Sequence, residues 1–377
     1  MKNRRDFLAS IGAATALGGC DMRAPRRPYP FRNGRGLSFK TLKIDNLGRT
    51  CAVGMLEERP GGRFRDRIAL FNLEALGSEP GQPLVAESVQ GEPGFDDWLP
   101  VFGDEGSHLY FSRVSRADEA RFRDRAPTRI IRRNLESGAQ EVVLEVSAKA
   151  LPQAVFQVEG ESYLIYQQAV EFNDRWGYRD WVTKFALRTV RLGGEGKVPA
   201  FGPLHDDFNY EGQGIAIPGI GYLFHRNDRV GDERDVYRFS ALSMKDIKNG
   251  SLEKFSNLED SVEYINKTNQ SSIKELRETR IAAETFRLSI TYEVDVRTNI
   301  IGTPPEVRDW GTHIYYDANP RYGIALKGRS VLDDEKDLER VPFVKFEAGR
   351  IPMTPESTGL VNFKPFVDSA FPLQEIP

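Results

Sequence analysis

Cysteine is almost missing from this chain, with two in 377 residues, at positions 20 and 51. That excludes a disulfide-built scaffold and a cysteine-cluster metal centre, so stability has to come from a large apolar core. Histidine is sparse as well. His108, His205, His225 and His313 show no His-x-x-x-His spacing, and neither a metal site nor a cofactor site is read from them. Charge of one sign is lacking, since the net charge is −3, and with it the basic footprint of a nucleic-acid-binding protein. No Gly-x-Ser-x-Gly elbow occurs, which argues against a serine peptidase. Gly193-Gly194-Glu195-Gly196 lacks the strand, helix and Lys of a phosphate loop and reads as a hairpin turn. Long apolar runs are missing too. The uncharged stretch 9–19 reaches only about 16 Å as a helix, against a hydrocarbon core of about 30 Å.

What is present begins at the N-terminus. Arg4-Arg5-Asp6-Phe7-Leu8, the short apolar stretch and Leu17-Gly18-Gly19-Cys20 stand in the order that export requires. The pair Arg4 and Arg5 with Phe7 and Leu8 resembles a bacterial twin-arginine signal, and the residues ending in Cys20 resemble a lipobox. The resemblance implies cleavage of residues 1–19, acylation of Cys20, and a membrane anchor through that lipid. Asp21 resembles a signal for retention on the periplasmic side of the inner membrane. With Cys20 acylated, Cys51 has no disulfide partner, and its run Cys51-Ala52-Val53-Gly54-Met55-Leu56 reads as a buried strand. Residues 20–36 then form a tether. Pro25, Pro28 and Pro30 stiffen it, and its arginines stand either as partners for anionic headgroups or as ordinary solvated linker residues.

From about residue 37 to 377 the chain reads as one all-β domain of short strands. Trp98–Phe102, a Gly-rich turn and His108–Arg113 are followed by a charged loop. Arg129–Leu135, a turn at Glu136-Ser137-Gly138 and Gln140–Leu144 then complete a four-stranded antiparallel meander. Weaker copies begin at Cys51, Phe156 and Gly214, at a period of about 55 residues, the spacing expected of β-propeller blades. The length accommodates about six. Ser256 with Glu259 and Ser272 with Glu275 are spaced as capping boxes, which predicts a small helical insertion over 256–283. Strict alternation over 286–296 predicts a long strand after it, and final strands are expected at 312–316, 322–327 and 342–347.

The segment Leu99-Pro100-Val101-Phe102-Gly103-Asp104-Glu105-Gly106-Ser107-His108-Leu109-Tyr110-Phe111, with Asn134-Leu135-Glu136-Ser137-Gly138 after it, resembles the repeat of TolB-like propellers. Gly-Asp-Glu-Gly stands here where that family has Ser-Pro-Asp-Gly. The resemblance implies a fold of four-stranded blades and carries no activity with it.

In such a meander the longer loops 114–127, 169–181 and 227–235 share one face with the connections between blades. Acidic residues recur beside aromatic ones on that face: Asp96-Asp97-Trp98, Trp176 with Asp180-Trp181, His205-Asp206-Asp207-Phe208 and Asp309-Trp310. Carboxylates next to ring faces suit sugars or cationic groups, although an Asp that turns the chain before a packed aromatic gives the same pattern. Two functions are therefore carried forward. The first is a binding platform for an envelope protein or glycan. The second is a glycan hydrolase using Asp97, Asp207 and Glu211 as its carboxylates.

Overall fold

The computed structural model describes residues 36–59, 63–89, 91–103, 106–174 and 181–193. Further on it describes 215–217, 221–229, 235–243, 247, 256–257, 264–265, 279–281, 284–286, 316–318, 322–327, 331–332, 335–347 and 356–368. These residues are mostly β, in antiparallel sheets, and fall into two compact units, one within 92–305 and the other within 27–91 and 306–377. Strands are numbered β1 to β24 in chain order.

The unit at the chain ends holds two sheets. In one, β1 (Gly36–Ile44), β2 (Thr50–Arg59) and β3 (Arg63–Asn72) form a meander, flanked by β22 (Val331–Leu332) on β1 and β5 (Glu87–Ser88) on β3. In the other, β20 (Tyr316–Ala318), β21 (Tyr322–Leu326), β23 (Val341–Glu347) and β24 (Gly359–Asn362) run antiparallel, and β4 (Leu84–Val85) joins β24 in parallel. Both sheets thus combine strands from the two ends of the sequence. Their shared core carries Phe39 against Phe363 and Phe71 against Phe343, each edge to face with centroids 5.1 Å apart. Cys51 is fully buried in it, as its apolar run predicts. Buried Arg67 pairs with Glu57, donates to the Phe366 carbonyl at 2.9 Å and reaches Ser88 Oγ at 2.9 Å. It thereby fixes the helix Lys364–Asp368 to the first meander.

The central unit contains the meander read from the sequence. β6 (Phe95–Phe102), β7 (His108–Ser115), β8 (Thr128–Asn134) and β9 (Gln140–Val146) pair in that order. Burial falls across the sheet, from a β7 whose middle six residues are all buried to a β9 that is largely exposed, as expected where inner strands are covered on both faces. The turn between β8 and β9 is closed by Asn134 Oδ1, which accepts from the Glu136 and Ser137 amides. Beside this sheet lie β10 (Ala150–Val158), β11 (Glu161–Asn173) and β12 (Trp181–Leu192). Val101, Tyr110, Ile130, Val155, Leu164, Tyr166 and Val190 form the core between the two sheets, and Ser112 Oγ donates to the Ala150 carbonyl across it at 2.6 Å.

A third sheet contains β13 (Ile215–Ile217), β14 (Gly221–Arg229) and β15 (Asp235–Ser243), with β16 (Ser256–Asn257) and β17 (Tyr264–Ile265) both on β15. β18 (Thr279–Ile281) and β19 (Glu284–Phe286) form a hairpin. Within 256–283, where a helical insertion is expected, the described residues 256–257, 264–265 and 279–281 are strands, and the remainder, with Glu259, Ser272 and Glu275, lies outside the described residues. Ser256 pairs with Ala241 instead of capping a helix. A capping box is a local preference worth about 1 kcal/mol, which pairing to an existing strand can override. Of the alternating segment 286–296 only Phe286 lies among the described residues.

Candidate functional site

The connection between β7 and β8 opens with a helix, α1 (Arg116–Phe122), which sequence periodicity does not reveal because none of its residues is buried. Ser115 caps it by accepting from the Asp118 amide at 3.3 Å, and Asp118 and Glu119 lie in the first turn, where acidic groups favour the helix dipole. Arg123 ends it with φ +53 and ψ −126, a conformation that side chains with a Cβ rarely adopt. The tight turn 123–125 that follows sends Asp124 inward and leaves Arg125 at the surface.

Asp124 and Lys149 form the buried centre of the site, 2% and 1% exposed. Lys149 Nζ lies 3.0 Å from Asp124 Oδ1, while Asp124 Oδ2 accepts from the Val182 amide at 2.9 Å. The Lys149 amide donates to the Asp124 carbonyl, and the Ala169 amide donates to the Lys149 carbonyl. The Asp124 carboxylate thus joins the β7–β8 connection to the link between β9 and β10 and to the start of β12, and the Lys149 carbonyl extends the contact to β11. The ammonium also faces the Trp98 ring, 4.7 Å from its centroid. Trp98 is brought there by a bulge in β6, where Leu99 takes φ +52 just before Pro100 and the register to β7 slips. Among the described residues three non-glycine residues have positive φ, and two of them, Leu99 and Arg123, adjoin this site. The third, Glu159, sits in the β10–β11 hairpin turn.

Outside this centre lies a cleft of about 360 Å³, lined by Arg125, Ser147, Gln168 and Phe172 with Ala148 and Ala169 at its base. The Arg125 guanidinium stacks over Phe172 at 4.1 Å, and Arg125 Nη2 is 3.6 Å from the exposed Asp174 carboxylate. Leu99, Leu151 and Phe185 pack beneath, together with Trp98 and Val182.

Of the residues singled out in the sequence, Trp98 faces this site through the Lys149 ammonium. Asp96, Asp97 and Trp98 lie within β6 instead of ahead of it. Asp97 is buried and bound on both oxygens by Arg113, at 2.7 and 2.9 Å, and Arg113 continues to Gln140. Asp96 is buried 3.7 Å from Arg116. Trp181 opens β12 opposite Asn173. Cys20, Arg4, Arg5, Phe7, Leu8, Trp176, His205, Asp206, Asp207, Glu211, Asp309 and Trp310 lie outside the described residues, so the separations of Asp97 from Asp207 and Glu211 are not defined. Lys149, Asp124, Arg125 and Phe172 escaped the sequence reading. Lys149 had one visible signal, a lone charge in the run Ala148-Lys149-Ala150-Leu151 at the start of a strand.

Among the described residues no cluster of three or more His, Cys, Asp and Glu side chains is placed to hold a metal ion, and no helix is long and apolar enough to cross a membrane. No protein-family model and no curated protein matches the chain. Solved structures similar to it include an acylaminoacyl peptidase from Pyrococcus horikoshii, at 10% identity and a TM-score of 0.41, covering 89% of this chain and 54% of that one. TolB from Acinetobacter baumannii is similar at 10% identity and a TM-score of 0.36, covering 76% of this chain and 51% of that one. A putative TolB from Agrobacterium tumefaciens is similar at 13% identity and a TM-score of 0.36, covering 57% and 64%. The chain spans about half the length of the first two structures. With TM-scores below 0.5, the architecture is read from the strand pairing itself, and no activity is carried over.

Proposed function

We propose that this chain is a lipoprotein of the bacterial envelope, anchored through Cys20 on the periplasmic side of the inner membrane. Its sheets act as propeller blades that present one loop-rich face to a protein or glycan partner. The observation that carries the platform reading is the meeting of loop 114–127 with the ends of β11 and β12, where Arg125 stacks on Phe172 and Asp124 accepts from the Val182 amide. These segments share one face in a meander, and the buried ion pair of Asp124 with Lys149 ties the loop to the link between β9 and β10 beside them. A face fixed in advance loses little conformational freedom on binding, which favours recognition by a rigid platform. The hydrolytic alternative has no comparable support, since Asp97 is engaged by Arg113 on both oxygens.

The test is site-specific photo-crosslinking in intact cells from positions 176 and 181. One dominant cross-linked species, lost when Arg125 and Phe172 are replaced by Ala, is the expected outcome. A diffuse background that those substitutions do not change would overturn the platform reading.

A further inference from the structure

Charged groups surround the cleft beside the Asp124–Lys149 pair, yet their charges cancel. The Asp124 carboxylate is buried and taken up by the Lys149 ammonium and the Val182 amide. The Arg125 guanidinium is engaged as well, stacked on Phe172 and 3.6 Å from the Asp174 carboxylate, so it stands here as a wall of the cleft. An ionised ligand entering this space gives up hydration and finds no unbalanced charge to replace it.

The remaining polar lining comes from Gln168 and Ser147. Among the described residues neither side chain takes part in a hydrogen bond. A carboxamide and a hydroxyl each donate and accept, which is the pattern an alcohol needs, whereas a carboxylate only accepts and an ammonium only donates. Apolar surface completes the lining. Half-buried Phe172 contributes to it, and the buried Ala148 and Ala169 are small enough to leave the space open. β11 is bulged at this point, since its pairing with β12 passes from Ala169 to Glu171 and skips Val170. On its other edge the ladder to β10 ends at Gln168, opposite Ala150, and the cleft lies where it ends. At about 360 Å³ the opening has room for about one six-membered ring with its substituents.

We propose that this cleft binds one uncharged sugar ring, whose hydroxyls meet Gln168 and Ser147 while its C–H groups lie against Phe172 and the two alanines. The inference rests on the platform reading and chooses a glycan over a protein as what that face holds. The ring can be a free sugar or one unit of a longer chain.

Ligand-observed NMR titration of the full chain tests this with two matched pairs of probes. They are N-acetylglucosamine against glucosamine, and methyl β-glucopyranoside against methyl β-glucuronide, at a slightly acidic pH where both charged members are ionised. The neutral member of at least one pair should bind about fivefold or more tightly than its charged counterpart. Gln168→Ala should weaken the preferred sugar about fivefold or more, with the thermal midpoint unchanged. Gln168→Glu, which keeps the shape and removes the donor, should weaken it too. Absence of binding by every probe, equal or tighter binding of the charged members, or an affinity that survives both substitutions would overturn the proposal. The β-1,4-linked tetramer of the preferred sugar separates the two sources: a gain of about tenfold or more over the single ring marks a unit of a glycan chain, and no gain marks a free sugar. If no sugar binds while the photoprobes still capture one partner, the sugar inference fails and the platform reading stands. If the single ring binds as tightly as the tetramer while the photoprobes give a diffuse background, the cleft is a free-sugar site and the platform reading fails.

Discussion

Lys149 is the residue on which most of the site depends. Its ammonium is buried, held by the Asp124 carboxylate and facing the Trp98 ring. Removing one partner of such a pair leaves the other charge buried alone, at a cost of about 3–5 kcal/mol. Lys149→Met should therefore destabilise the protein by that amount in urea denaturation. Adding Asp124→Asn should recover part of the loss, because the amide oxygen still accepts from Val182 while the stranded charge is gone. Recovery marks a stranded charge as the cause, whereas a double variant no more stable than the single one would assign the loss to packing against Trp98. The sequence marked Lys149 only as an isolated charge in an apolar run. It could not mark Asp124 at all, since that residue stands among Asp118, Glu119 and five arginines between positions 116 and 129 with nothing local to distinguish it.

At the scale of elements, strands were far more legible than helices. The short apolar runs and turn residues of the segment 98–144 predict all four strands of the central meander to within a few residues, because such runs between turn signals mark strands directly. α1 stayed hidden in a loop, since a short helix stabilised by its Ser115 cap and surface charges has no apolar face to announce it. Capping-box spacing at Ser256 misled for the opposite reason, a local preference with no tertiary support. Turns carry their own test. Glu159 and Gly160 both have positive φ, 52 and 83, the pattern of a type I′ hairpin, in which Asn-Gly is preferred at these two positions. Glu159→Asn should relieve the cost of a left-handed Glu and stabilise the β10–β11 hairpin by about 0.5–1 kcal/mol. The check is a higher thermal midpoint, with slower amide exchange at Val158 and Glu161.

For the whole molecule, the sheets built from both chain ends are the feature that no local pattern contains. β1 pairs with β22, and β4 with β24, across more than 270 residues of sequence. Such pairing completes only when most of the chain is present, which fits the twin-arginine route that the N-terminal segment resembles, a route for proteins folded before transport. Replacing Arg4 and Arg5 by Lys should leave uncleaved precursor inside the cell, and Cys20→Ser should release the mature protein from membranes into the soluble fraction, both read by fractionation and immunoblot. Mature protein that still reaches the envelope after the first substitution would remove the folded-export route. Membrane attachment that survives the second would remove the lipid anchor.

The sequence by itself determined the class of the fold and much of its strand order, because apolar runs and the turn residues that separate them are written residue by residue. The proposed signals for address and anchoring also rest on sequence alone, in a contiguous stretch of some twenty residues that resembles a twin-arginine signal and lipobox. The tertiary structure alone decided which charges meet. Asp124 and Lys149, or Arg125 and Phe172, are separated by 25 and 47 residues and share no local pattern. Their pairing follows from where two meanders bring their ends together, and electrostatic contact depends on distance in space and on burial, which spacing along the chain does not encode.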